Sequence, residues 1–212
     1  MRETQQRLAG RLGLAGIGLP GGQLEQLVDY LELLAAWNRR MNLTSLADPD
    51  LAIDRLVVEP VLAAAAIDDS ATSLMDIGSG GGSPAVPIKV VRPDLALTMV
   101  EVKAKKSVFL REVTRRLLLK NVAVETTRFK ELLGRPEAAA TRDVISIRAV
   151  RAEAADIAMF SSALTPRGQQ LWFLSGAQTS PEMPAGVRLL VERELPLVDA
   201  LKSRLLVLRK AM

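Results

Sequence analysis

The run Leu74-Met75-Asp76-Ile77-Gly78-Ser79-Gly80-Gly81-Gly82 constrains this chain more than any other segment. An apolar-rich stretch that passes straight into glycines reads as a buried strand ending in a tight turn. Without Cβ atoms, such a turn lets backbone amides approach a ligand closely. Pro84 and Pro87 follow. Proline fits the first turn of a helix, so a helix is expected to start there, with its positive end aimed at the ligand. Strand, glycine turn and helix together open a nucleotide-binding α/β unit.

The rest of the chain fits that unit. Further β-rich runs lie at Leu95–Val102, Val122–Thr126, Val144–Ile147 and Leu171–Leu174, alternating with helical stretches at Lys105–Leu119 and Glu153–Ala163. This alternation predicts βαβ units on a parallel sheet with right-handed crossovers. Val187–Arg193 and Arg204–Arg209 are separated by only a short connection, which predicts an antiparallel pair at one edge. The expected sheet therefore has seven strands and is mostly parallel. Residues 1–70 differ, being helical in period. Leu24, Leu27, Val28, Leu31 and Leu34 form one stripe on a helix from Gly22 to Arg39, and a second helix is expected over Asp54–Ala66. The expected organisation is an N-terminal helical extension (1–70) followed by a Rossmann-like α/β domain (71–212).

Composition narrows the chemistry. The chain has no cysteine and no histidine. This excludes disulfides, thiol nucleophiles, thiolate or imidazole metal sites, and an imidazole general base. Composition leaves a carboxylate-only magnesium site open, but no metal is expected. The net charge of +4 is uneven: residues 1–75 carry 6 basic and 10 acidic side chains, residues 76–212 carry 22 and 14. A basic second part suits a polyanionic partner. Nothing resembles a signal peptide or a membrane span, so a cytoplasmic protein is expected.

Glu101 completes the candidate site. It ends the second expected strand, roughly 20 residues beyond the glycines, where an acid can hold both hydroxyls of a ribose. Gly78-x-Gly80-x-Gly82 is followed by Ser83-Pro84, so the third glycine of a dinucleotide fingerprint is missing. No Lys-Ser/Thr follows as in a phosphate loop. The pattern suits S-adenosylmethionine, which has no phosphate and whose amino acid portion needs a polar strand end such as Asp76.

At this point the sequence resembles a known family. Asp76-Ile77-Gly78-Ser79-Gly80-Gly81-Gly82-Ser83-Pro84-Ala85-Val86-Pro87-Ile88 and Arg92-Pro93-Asp94 are similar to the cofactor loop of the glucose-inhibited division protein B family. These are bacterial 16S ribosomal RNA guanine-N7 methyltransferases. The likeness extends upstream to Trp37-Asn38 and Asn42-Leu43-Thr44. Downstream it takes in Val100-Glu101, Lys105-Lys106, Phe109-Leu110, Leu119-Lys120-Asn121-Val122, Arg128 and Ser146-Ile147-Arg148-Ala149. It implies a class I S-adenosylmethionine-dependent methyltransferase fold and a monomer acting on 16S ribosomal RNA or the small ribosomal subunit. It also implies that Gly78 and Ser83 surround the methionine part, that Phe129 and Lys130 after Arg128 lie beside the adenine, and that Arg148 faces cofactor and target base. Departures from the family pattern fall at Leu56 (a histidine is usual), Glu59 followed by Pro60, Ser83, Lys130 (an acid is usual) and Ser175.

Missing acid–base residues do not count against methyl transfer to guanine N7, a lone pair with no proton to remove. Lys103, Lys105, Lys106, Arg111, Arg115, Arg116 and Lys120 gather in one stretch and are candidates for RNA phosphate contacts. Aromatic residues make up 3% of the chain, so stacking platforms are scarce; Trp37 and Trp172 read as core. Two alternatives stay open on the residues alone. One is the same fold with another RNA or small-molecule target. The other is a non-catalytic RNA- or ribosome-binding relative.

Overall fold

The computed structural model describes residues 2–44, 48–176, 178–195 and 203–210. The strands are β1 (Ser73–Ile77), β2 (Ala96–Val100), β3 (Val122–Glu125), β4 (Arg142–Arg148), β5 (Leu164–Leu174), β6 (Val187–Glu194) and β7 (Arg204–Lys210). They form one sheet in the order β3-β2-β1-β4-β5-β7-β6. The first five run parallel, and β7 and β6 close one edge antiparallel, as expected. The helices are α1 (Arg2–Leu14), α2 (Gly21–Met41), α3 (Pro49–Ile53), α4 (Glu59–Ala64), α5 (Ala85–Val91), α6 (Ala104–Arg116), α7 (Phe129–Leu133) and α8 (Ala154–Ala163).

Period-two alternation sorts the strand residues onto two faces. Leu74, Leu97, Met99, Val144, Leu171 and Phe173 join a core with Leu8, Leu12, Leu27, Leu34, Ile88 and Phe109. Met75, Ile77, Ile145, Ile147 and Trp172 pack on Ile157 and Phe160 of α8. The N-terminal helices thus share one core with the sheet. Their buried leucines cover the same face as α5 and α6.

Three elements depart from the sequence expectation. Helix α1 carries no strong apolar stripe. It is fixed by Leu8 and Leu12 and by Arg11, whose buried guanidinium pairs with Asp54. The single helix expected over Asp54–Ala66 is instead α3, a π-helical turn at Asp54–Val58, and α4. There the Glu59 amide reaches back five residues to the Asp54 carbonyl, and Pro60 has no amide with which to continue the ladder. Strand β5 begins at Leu164, earlier than expected. Its first residue pairs with Arg142, and the register shifts before Val144 pairs with Gln169.

Candidate active site

The carboxyl ends of β1 and β2 meet at the glycine turn. Both the Gly78 amide (2.9 Å) and the Ser79 amide (3.0 Å) donate to the Val100 carbonyl. The Gly80 amide donates to Glu101 Oε2 (2.9 Å), and the Lys103 amide to Glu101 Oε1 (2.8 Å). Three loop amides expected to face a ligand are therefore bound within the chain, and the turn is held in shape without one. Gly78, Gly80 and Gly82 all have positive φ, at 71°, 51° and 89°. A Cβ on Gly82 would lie 2.9 Å from Val86 Cγ2 and 3.4 Å from the Tyr30 ring, and one on Gly81 would lie 3.2 Å from Leu34. Gly81 and Gly82 thus sit tightly packed beneath α2, Gly82 also against Val86 of α5. Tyr30, fully buried, fixes the turn by donating its hydroxyl to the Gly81 carbonyl at 2.7 Å. Sequence reasoning missed this tyrosine, since its position on α2 reads only as core.

Beside the turn opens a cleft of about 440 Å³, lined by Ile77, Gly78, Val100, Glu101, Val102, Thr127, Arg128, Phe129, Lys130, Ala149 and Val150. Its volume lies within the range of small-ligand sites. Five expected site residues line it: Gly78, Glu101, Arg128, Phe129 and Lys130. Phe129 packs on Phe160 at 5.3 Å between ring centres, which fixes its ring. Arg128 is exposed at the rim. Lys130, the departure from the family's usual acid, pairs with Asp156 of α8 at 2.8 Å. Val102, Thr127, Ala149 and Val150 are lining residues that carry no chemical signature in sequence.

The other expected residues lie elsewhere. Asp76 is buried on the helical face of β1. Its Oδ1 accepts from Ser146 Oγ at 2.6 Å, and Oδ2 is buried with no hydrogen-bond partner among the described residues. Burial pushes its carboxyl up to about 6. Gly82 is enclosed by Tyr30, Val86 and Leu110. Ser83 Oγ is likewise buried and unpartnered among the described residues, and the Ser83–Pro84 peptide is cis.

Arg148, expected to face the cofactor, is turned toward the N-terminal layer. Strand alternation puts it on the same face as Asp76 and Ser146. Its guanidinium donates to Glu59 Oε2 (2.7 Å) and to the Arg55 carbonyl, and its carbon lies 4.4 Å from the Phe173 ring centre. Only its neighbours Ala149 and Val150 reach the cleft.

Of the basic stretch, Arg111 donates to the Val124 carbonyl and Thr126 Oγ1, and Arg115 pairs with Glu112. Lys103 and Lys105 are exposed at the start of α6, with Lys106 half-buried near Gly80. Among the described residues no cluster of three acids could hold a metal ion, and no helix is long and apolar enough to cross a membrane.

The cleft fits S-adenosylmethionine. Val100, Val102 and Phe129 offer apolar surface to a purine. The Glu101 carboxylate, with one bond on each oxygen, keeps a lone pair on each for ribose hydroxyls. Asp76 does not line the cleft; its Oδ2 is buried beneath the turn without a hydrogen-bond partner among the described residues.

Among solved structures, the chain is similar to a SAM-dependent methyltransferase from Aquifex aeolicus (TM-score 0.57, 16% identity, covering 79% of this chain and 95% of that one). It is also similar to a mutant of MtNAS in complex with S-adenosylmethionine (TM-score 0.59, 14% identity, covering 89% and 79%). At these identities the likeness shows the fold alone, a Rossmann-like class I methyltransferase sheet.

Sequence relatives are nearer. Ribosomal RNA small subunit methyltransferase G of Roseiflexus sp. (strain RS-1) is 40% identical over 146 residues, 68% of this chain and 62% of that protein. The Burkholderia pseudomallei (strain 1106a) protein of the same name is 33% identical over 210 residues, 94% of this chain and 89% of the relative. The matched region spans less than two thirds of the Roseiflexus proteins and most of the Burkholderia one. The family model for rRNA small subunit methyltransferase G matches residues 23–195. On this match and these identities, the chain belongs to the rRNA small subunit methyltransferase G family.

Proposed function

We propose that the protein transfers the methyl group of S-adenosylmethionine to N7 of a guanine in 16S ribosomal RNA. The observation that carries this reading is Glu101, which closes the glycine turn and keeps two acceptor sites at the mouth of an apolar cleft. Family membership gives the class of substrate.

In this reading Gly78, Glu101, Arg128, Phe129 and Lys130 form the cofactor site, with Glu101 on the ribose and Phe129 beside the purine, and Asp76 supports the end of β1 from beneath. Gly80, Gly82 and Ser83 shape the turn from behind. When bound, the cofactor supplies an electrophilic methyl carbon on a sulfonium. The chain's own task is alignment and exclusion of water, because guanine N7 has a free lone pair and needs no general base. That is consistent with a site holding neither histidine nor cysteine. Arg148 supports the site from behind β4. Lys105 and Lys106 meet RNA phosphate, joined by Arg111 and Arg115 where their local partners release them. The protein works as a cytoplasmic monomer without a metal.

Calorimetric titration with S-adenosylmethionine, paired with mapping of N7-methylguanine in 16S ribosomal RNA from strains with and without the gene, tests this. Binding heat and loss of one modified guanine are expected. Absence of binding heat would remove the enzymatic reading.

A further inference from the structure

We propose that Glu59 and Pro60 form a seat that positions Arg148 and, through it, the β4 wall of the cofactor cleft. This rests on the cofactor reading above and extends it to residues outside the cleft.

The seat follows from the backbone. In the π-helical turn the Glu59 amide reaches the Asp54 carbonyl, five residues back. The next acceptor in that register is the Arg55 carbonyl, and Pro60, which would follow, has no N–H. A buried carbonyl without a donor is costly, so an outside donor is favoured. Arg148 supplies it through Nη1, while Nη2 binds Glu59 Oε2 at 2.7 Å. Arg55 Nε stands 3.5 Å from the other Glu59 oxygen, so the carboxylate is shared by two arginines. Phe173 covers the Arg148 guanidinium at 4.4 Å. The Arg148 side chain is 9% exposed and that of Glu59 1%. Two-point binding of a planar guanidinium fixes its orientation as well as its distance.

What the seat holds is the end of β4. The residue after Arg148, Ala149, has φ 54°, a sharp bend for a non-glycine residue. Ala149 and Val150 line the cleft, and Val150 Cγ2 lies 2.6 Å from where a Gly78 Cβ would be. Val150 therefore packs directly over the first glycine of the turn. Pulling Arg148 toward α4 sets the bend and with it the position of Val150. The N-terminal layer thereby sets the cleft wall opposite Glu101, and Glu59 and Pro60 are positioning residues.

The test is the S-adenosylmethionine Kd of the full chain by calorimetry, alongside the thermal midpoint. Glu59→Gln removes the charge that orients Arg148 and is expected to weaken Kd by about tenfold in the folded protein. Pro60→Ala gives the Arg55 carbonyl a competing donor without unpairing a buried charge, so it stays folded if Glu59→Gln does not. Its expected weakening is about threefold. A purely structural role would lower the midpoint and leave Kd alone. If the wild type binds and either folded variant keeps the wild-type Kd, the seat is overturned. If the wild type itself does not bind, the cofactor reading fails instead.

Discussion

Lys130 Nζ lies 2.8 Å from Asp156 Oδ1, so the lysine at the rim of the cleft is neutralised by a carboxylate from the first turn of α8. The hydrogen bond that Lys130 donates to Asp156 raises the Lys130 pKa. Burial pushes the Asp156 carboxyl up, but the bonds from Lys130 and the Glu153 amide outweigh it and hold the carboxyl low. The charge reversal at position 130 thus comes with its own counter-charge.

Asp156 also accepts from the Glu153 amide at 3.1 Å, as half of a capping box on α8. Asp156→Ala is expected to cost about 1–2 kcal/mol, seen as a fall of roughly 3–6 °C in thermal midpoint. It also frees the Lys130 charge beside a cationic cofactor and should weaken its binding by about twofold. A midpoint equal to wild type would show that the cap contributes nothing.

Tyr30 is raised in pKa by burial and serves as a hydrogen-bond donor only. Tyr30→Phe keeps the ring against Gly82 and removes the donor to the Gly81 carbonyl. A buried acceptor losing its partner costs about 1–2 kcal/mol. Denaturant unfolding should show that loss, and cofactor affinity should fall with it because the glycine turn loosens. Wild-type stability in this variant would mean that the turn is held without the hydroxyl.

Asp76 makes a pH-dependent prediction. Its folded value of about 6 lies above the ordinary carboxylate value near ~3.9. The native state therefore holds a proton that the unfolded state releases. Its contribution to stability is full below pH ~4 and is lost as pH rises through about 6, by on the order of 3 kcal/mol. Asp76→Asn should remove that slope from the difference between variant and wild-type unfolding curves.

Lys105 and Arg116 are exposed and lie about three turns apart on one face of α6. If they meet phosphate, Lys105→Ala with Arg116→Ala should lower the slope of log affinity for 16S ribosomal RNA against log salt by about two units. The S-adenosylmethionine Kd should not change. An unchanged slope would place RNA on another face.

The parts of this fold legible in sequence are those written locally. Strand β1, its glycines and Glu101 at the end of β2 lie within one stretch whose period and composition carry the signal. Arg148 shows where legibility stops. Alternation puts it at the strand end, but its direction depends on Glu59, 89 residues away. The Lys130–Asp156 pair and the Tyr30–Gly81 bond are hidden for the same reason. Helix α1 escapes the periodicity because a buried Arg11, paired to Asp54, interrupts its apolar face. The amides of the glycine turn differ in another way. Their residue types are legible, but their bonds go to Val100 and Glu101 instead of outward.

Tyr30, Leu34 and Leu43 form the ceiling over Gly81 and Gly82, and all three precede the turn in the chain. During synthesis the ceiling therefore leaves the ribosome before the loop that it will cover. The helices share the core with the sheet, and the turn, already tied to Val100 and Glu101, gains its cover when they dock. The covered turn is thus complete only when the first and middle thirds of the chain have closed on each other.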